Sequence, residues 1–448
     1  MSDRAISRVF WDRAVMGRRA LLVACLALAI LHLAPIASLA QEPRVAQPET
    51  VGLSPQRLAA LSKVLSAEIE QGKLPGAVVG IFRKGKLAYF EAFGWQNKPA
   101  GKKMERDAIF RLYSMTKPWT SVAAMMLVED GRIQLTDPVS KYLPGFKDLQ
   151  VSVPTANPAT ELTSYSLVAA QREPTVQDLL RHTSGLAYDF VTRNALVKAA
   201  YEKADLKALG TAIRDKVTPS EMVERLGKAP LASQPGTVWE YSLSTAVLGR
   251  VIEAVSGMTL SKFLDARLFQ PLGMKDSGFV LSKEQAARLA QPFLPFDPIS
   301  LFDPAMPPAN DLGGEGGVST AADYLQFCEM LLAGGRLGAT RVLSPTTIEL
   351  MTADHIGARP GSPVSPGELL LGTPGYTFGL GFMVRQGEGT AGVPGSPGEY
   401  TWGGAAGTYF WVDPKQELAV VFMAQVPFAA RVSYRRFIKQ LVYAAITD

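Results

Sequence analysis

Apolar residues recur at helical spacing at Leu58, Leu61, Leu65 and Ile69. With Ser54 as N-cap, Pro55 at the first helical position and Gly72 as stop, they predict a helix. A continuous apolar run over 77–82 predicts a strand, then a tight turn at Arg83-Lys84-Gly85 and a second strand around 87–93. The far end of the chain repeats this arrangement. Residues 408–412 read as a strand, Asp413-Pro414-Lys415-Gln416 as a turn, 418–423 as the returning strand, and about 428–446 as a final helix. Between the two ends the pattern is mainly helical, broken by Pro- and Gly-rich loops at 153–174, 292–308, 359–375 and 387–398, with no internal repeat. The expected fold is α/β of the α+β type: one antiparallel sheet formed from both chain ends and flanked by helices, with an inserted mainly helical lobe. The α/β lobe takes about 51–113 and 310–448 and the helical lobe about 114–309. Ligands are expected where such lobes meet.

The first forty residues follow a different pattern. Arg18-Arg19 precede an apolar run over 20–33, then Pro35 and Ser38-Leu39-Ala40. A charged stretch, a short hydrophobic core and small residues at −3 and −1 predict a signal peptide cut after Ala40. The folded domain is then 41–448, periplasmic or secreted, without stable membrane insertion. Met16 is an alternative start. The residues after the paired arginines fit a twin-arginine signal poorly. The lipoprotein-like Leu22-Val23-Ala24-Cys25 is read as part of the apolar run, which continues past it.

Composition narrows the chemistry. The 448 residues are 47% hydrophobic and 19% charged, too apolar for disorder. Of the net charge of +5, residues 1–40 hold five arginines against two aspartates, so no basic field is left for nucleic acid. The only cysteines are Cys25 and Cys328, which excludes a disulfide framework in the mature chain. The histidines are His32, His182 and His355, with no HExxH and no CxxC, so no metal and no cofactor is expected.

A nucleophile elbow, G-x-S-x-G, is missing; Gly317-Val318-Ser319-Thr320-Ala321 is the nearest miss. Ser114-Met115-Thr116-Lys117 contains the one serine followed three positions later by lysine. Pro118 and the apolar run over 122–128 set it at a helix N-terminus, where the dipole favours developing negative charge. Two further phrases accompany it: Trp239-Glu240-Tyr241-Ser242-Leu243, and Trp402-Gly403-Gly404-Ala405 before the last hairpin.

Together these motifs resemble the serine β-lactamase and penicillin-binding-protein superfamily. Y-S-L, with W-G-G in place of K-T-G, is most similar to the family VIII carboxylesterases, relatives of class C β-lactamases. Leu179-Leu180-Arg181-His182-Thr183-Ser184-Gly185, Glu129-Asp130-Gly131 and Gly313-Gly314-Glu315-Gly316-Gly317 match the wider family, and the likeness runs from about Val51 onward.

The resemblance implies that Ser114 is the acyl-forming nucleophile, that Lys117 and Tyr241 serve as its base, and that the backbone N–H groups of Ser114 and Ala405 form the oxyanion hole. Trp402, Gly403, Gly404 and Leu243 then bind substrate. Which of Lys117 and Tyr241 takes the proton stays open. Holding a tyrosine of pKa about 10 as phenolate near neutrality needs about 4 kcal/mol. One ammonium about 4 Å away at an effective dielectric near 20 supplies that much. Leu243 and Trp402 stand where β-lactamases carry an asparagine and a lysine, so a cleft for neutral, apolar groups is expected.

The expected activity is that of a carboxylesterase acting on short-chain or small neutral esters through an acyl-enzyme, with a small-molecule substrate as its only implied partner. Alternatives are an amide hydrolase or acyl transferase of the same superfamily (D-aminopeptidase, DD-peptidase, oligoamide hydrolase or weak β-lactamase) and a non-catalytic binding protein on this fold. A rival Ser–His–Asp triad would draw on Asp354-His355 or His182. Cys328 falls on one stripe with Tyr324, Phe327 and Leu331 after a Thr320/Asp323 cap and reads as a core thiol. The Gly313–Gly317 run reads as a flexible pocket rim. Oligomeric state is not legible.

Overall fold

Ser54 caps the first long helix, Pro55–Glu70, by accepting the amide of Arg57 at 3.3 Å, and Leu58, Leu61 and Leu65 are the residues it buries. The computed structural model describes residues 44–157, 163–208, 210–292, 299–357, 364–426 and 428–448. The export signal expected over 1–40, with Cys25, lies outside the described residues. Val45–Asp448 form one compact unit in which the sheet and the intervening helices share a continuous hydrophobic core.

In chain order the strands are β1 (Gly76–Arg83), β2 (Lys86–Asn97), β3 (Lys102–Lys103), β4 (Ile109–Arg111), β5 (Gln150–Ala156), β6 (Thr163–Ala169) and β7 (Val318–Thr320). They continue with β8 (Arg336–Leu337), β9 (Thr340–Arg341), β10 (Tyr376–Phe378), β11 (Met383–Arg385), β12 (Tyr400–Gly403), β13 (Tyr409–Asp413) and β14 (Leu418–Ala424). Eight of them form one antiparallel sheet ordered β10-β11-β12-β13-β14-β1-β2-β3. Both chain ends therefore contribute, as expected, and they meet at its centre where Ala77 pairs with Ala424.

Helices cover both faces. Adjacent residues of β13 show this through the strand's two-residue alternation. Phe410 packs on Tyr324 of the Ala321–Leu332 helix, while Trp411 stacks on Tyr443 of the final helix, Arg431–Tyr443. That final helix is shorter than the span expected for it. Every residue of β13 and β14 is buried, so these strands read as continuous apolar runs rather than alternating ones.

Two predicted loops hold regular structure. Residues 153–174 contain most of the hairpin β5–β6, paired from Gln150↔Ala169 to Ala156↔Thr163. Its Ser, Thr and Pro residues gave a turn-like composition, and nearly all of β6 is exposed, so no burial pattern marked it. Residues 359–375 contain the short helix Pro366–Leu371, opened by a capping box between Ser365 and Glu368.

Cys328 is fully buried, and burial holds its thiol well above the ordinary range. Native protein should therefore leave Cys328 unlabelled by a thiol reagent, as seen by peptide mapping, and guanidinium chloride should make its labelling complete. Rapid native labelling would contradict this packing.

Candidate active site

Ser114 stands where β4 runs out into a helix, and the joint is pinned from two sides. The amide of Leu112 donates to the Gly317 carbonyl at 2.9 Å, and the Leu112 carbonyl accepts the Thr408 hydroxyl at 3.2 Å. Tyr113 takes a left-handed φ of +47°, uncommon for a bulky residue. It is held by its hydroxyl on the Ser300 carbonyl at 3.2 Å and by its ring against Phe302. A single 3-10 turn, Tyr113–Met115, then leads into the Thr116–Glu129 helix. Ser114 thus sits just ahead of the helix and Lys117 within its first turn.

The three polar side chains expected from the motifs come together. The Lys117 Nζ lies 3.2 Å from the Ser114 Oγ, and the Tyr241 hydroxyl donates to that Oγ at 2.6 Å. Nζ also donates to the Tyr188 hydroxyl at 3.0 Å and to the Gly314 carbonyl at 2.8 Å. Rings cage Tyr241: those of His182 and Tyr188 lie 5.0 Å away between centroids, and that of Trp402 at 5.2 Å. The Trp402 indole N–H lies near the phenol oxygen without hydrogen-bond geometry.

Burial sets the charge states. Lys117 is 1% exposed, and loss of hydration drives its amine far below the ordinary lysine range, against an upward pull from Glu315. Burial raises Glu315 in turn, offset in part by the charge of Lys117. Burial also pushes the Tyr241 phenol well above 10, more than its hydrogen bond to Ser114 lowers it. The balance drawn from the sequence omitted this desolvation: one cation cannot hold a phenolate that must also be stripped of water. Burial thus favours the neutral form of both Lys117 and Tyr241. With two N–H bonds on Gly314 and Tyr188, the neutral Lys117 amine has its lone pair left for the Ser114 hydroxyl.

The other expectations fare unevenly. Trp402, Gly403, Gly404 and Ala405 line the cleft with Ser114, and the 359–375 segment adds Leu369 and Leu370. A Cβ on Gly404 would lie 2.1 Å from the Leu112 carbonyl oxygen, and one on Gly403 2.9 Å from the Arg435 guanidinium, so the glycine pair is a steric requirement. Leu243 does not line the cleft. It is fully buried, with its amide on the Ala187 carbonyl, and offers a substrate no surface. The Gly313–Gly317 run is a packed clamp rather than a flexible rim: Gly313 accepts the Thr120 hydroxyl, Gly314 accepts Lys117, and Gly317 accepts Leu112.

The rival triad does not assemble. The Asp354 carboxylate accepts the amides of Ile356 and Gly357, while His355 contacts the Leu350 carbonyl and Gln177. His182 faces the Ser242 hydroxyl at 3.1 Å, and burial holds its ring well below the ordinary imidazole range and so neutral. Its ring packs edge-on against that of Tyr241. Sequence reasoning missed Tyr188, Glu315, Arg431 and Arg435. Tyr188 follows the Leu179–Gly185 phrase closely. The two arginines are four apart on the final helix, spacing that any solvated face can show. They line the cleft too, so the expected absence of a cation there does not hold.

The sequence matches the Beta-lactamase family model over residues 61–443. It is 31% identical to Esterase EstB of Burkholderia gladioli over 85% of this chain and 94% of that protein. It is 29% identical to a lovastatin esterase of Penicillium rubens over 81% and 91%. Among solved structures it is similar to EstCE1, a hydrolase with promiscuous acyltransferase activity, with TM-score 0.70, 28% identity and coverage of 87% of this chain and 99% of the other.

Gly404→Ala should cost about 1–3 kcal/mol or more through overpacking against Leu112, seen as a lowered Tm, and should displace the strand end beside Ser114. An unchanged Tm would mean that the close approach is not a constraint.

Proposed function

The chain belongs to the beta-lactamase family and is a serine hydrolase of that superfamily, and from that premise we propose that it cleaves small carboxylic esters through an acyl-enzyme on Ser114. One observation carries the reading: a single hydroxyl, that of Ser114, within hydrogen-bond reach of a buried amine and a buried phenol. In this mechanism the neutral Lys117 takes the Ser114 proton as Oγ bonds to the ester carbon. The N–H groups of Ser114 and Ala405 receive the oxyanion. Collapse expels the alkoxide, which takes the Tyr241 proton, and Lys117 returns its own to the phenolate. Water then repeats the sequence against the acyl-enzyme and frees Ser114 and the acid.

Two observations favour an ester over a fused-ring lactam. The cleft encloses only about 40 Å3 beside Trp402 and Phe190, and the relatives include named esterases. Export through residues 1–40 is part of the same proposal, since the run over 20–33 and Ser38-Leu39-Ala40 have the form of a cleaved signal.

With p-nitrophenyl butyrate, kcat/KM should greatly exceed that for nitrocefin; the reverse order would refute the substrate assignment. Ser114→Ala should abolish fluorophosphonate labelling, and Tyr241→Phe should lower kcat/KM about 10²–10⁴-fold.

The pH profile carries its own sign. The reactive amine is unprotonated, so kcat/KM should rise with pH through the lowered pKa of Lys117, far below the ordinary lysine range. Glu315 pulls that pKa up, so Glu315→Gln should move the rising limb to lower pH. A limb that moves up, or stays near 10, would remove Lys117 as the base.

A further inference from the structure

Two buried arginines tie the stretch 299–306 to the joint that carries Ser114. Arg111, the last residue of β4, donates its Nε to the Phe302 carbonyl at 2.7 Å, and Arg214 donates to the Met306 carbonyl at 2.9 Å. Both guanidinium groups also lie over the Phe302 ring, 5.9 Å and 4.7 Å from its centre. Phe302 is buried and meets the Tyr113 ring edge to face at 5.3 Å. Two cations and an aromatic edge thus hold one ring, and burial strengthens the cation contacts.

The ring belongs to a small hydrophobic cluster separate from the main core. The cluster joins Tyr113, Ile299, Phe302, Val318 and Ala406, with Ala405 packed against it. It therefore touches the chain on both sides of the oxyanion hole in the mechanism above: Tyr113 directly precedes Ser114, and Ala405 carries the second N–H. Tyr113 holds its left-handed φ of +47°, which a bulky residue keeps only where its surroundings impose it. Those surroundings are the Phe302 ring and the Ser300 carbonyl, both from the 299–306 stretch. Phe302 itself is absent from the lining of the cleft.

We propose that Phe302 is a positioning residue for the oxyanion hole. Clamped by Arg111 and Arg214, it holds Tyr113 in its left-handed turn and so fixes the Ser114 N–H against that of Ala405. The inference rests on the acyl-enzyme reading and adds to it a residue that touches no reacting atom.

The test uses p-nitrophenyl butyrate, with active sites counted by fluorophosphonate labelling. Phe302→Leu keeps an apolar side chain and removes the ring. It should lower kcat per labelled site about 10–100-fold while KM stays within about threefold, because the oxyanion donors act on the transition state. The inhibition constant of butylboronic acid, whose tetrahedral adduct on Ser114 fills the oxyanion hole, should rise by a similar factor. Phe302→Tyr, which restores a ring for the two guanidinium groups, should recover most of both losses. Tyr113→Phe preserves the packing, removes only the bond to Ser300, and should lower kcat by about 2–10-fold. Glycine adopts a left-handed φ freely, so in a Tyr113→Gly background the further change Phe302→Leu should cost much less than it does in wild type. A lowered Tm with kcat per site and boronate inhibition unchanged would make Phe302 a packing residue only and overturn the proposal. So would losses that multiply independently in the double variant, or full kcat in Tyr113→Phe. Failure of the acyl-enzyme reading looks different: wild-type protein itself neither cleaves the ester nor labels at Ser114.

Discussion

A buried amine with every polar contact satisfied is the constraint on which the site depends. Burial disfavours the charged form of Lys117, and Gly314 and Tyr188 take its N–H bonds, which turns what remains of its hydrogen-bonding capacity onto Ser114. The Gly313–Gly317 clamp, the ring cage and the pinned Leu112 all serve that geometry. The clamp brings a carbonyl to Lys117, the cage holds the phenol over the Ser114 hydroxyl, and Leu112 ties the Ser114 loop to two other parts of the fold. His182 faces the Ser242 hydroxyl and packs its ring on that of Tyr241.

Much of this was legible in the sequence, for definable reasons. The terminal hairpins could be read because β1 and β14 are buried on both faces and show as unbroken apolar runs. The Ser54 and Thr320 caps could be read because their chemistry is local. Ser114, Lys117 and Tyr241 could be read because their spacing in three motifs is distinctive. What stayed hidden depends on tertiary contact. Leu243 was read by its motif position, yet its burial follows from the packing of the helix it precedes. The β5–β6 hairpin has no apolar face to announce it. The sign of the Lys117–Tyr241 balance depends on desolvation, which no spacing reveals.

The cleft shows how one sequence change can mislead. Tryptophan at position 402 removes a cation from the strand and suggests a neutral pocket. The structure brings two cations to the same cleft from the final helix, far along the chain, and Gly403 is glycine because one of them lies on it. The polarity of a site is thus a property of every element that reaches it, not of one motif.

The pairing of Ala77 with Ala424 at the centre of the sheet has a consequence for how the protein comes into being. The first hairpin has no partner for its inner edge until the distant β14 reaches it, and contacts this distant in sequence are slow to close. Until then β1 is an open apolar edge, the kind that invites association with other chains. The sheet, and the Ser114 joint that Thr408 pins to it, can therefore close only when both ends of the chain are together.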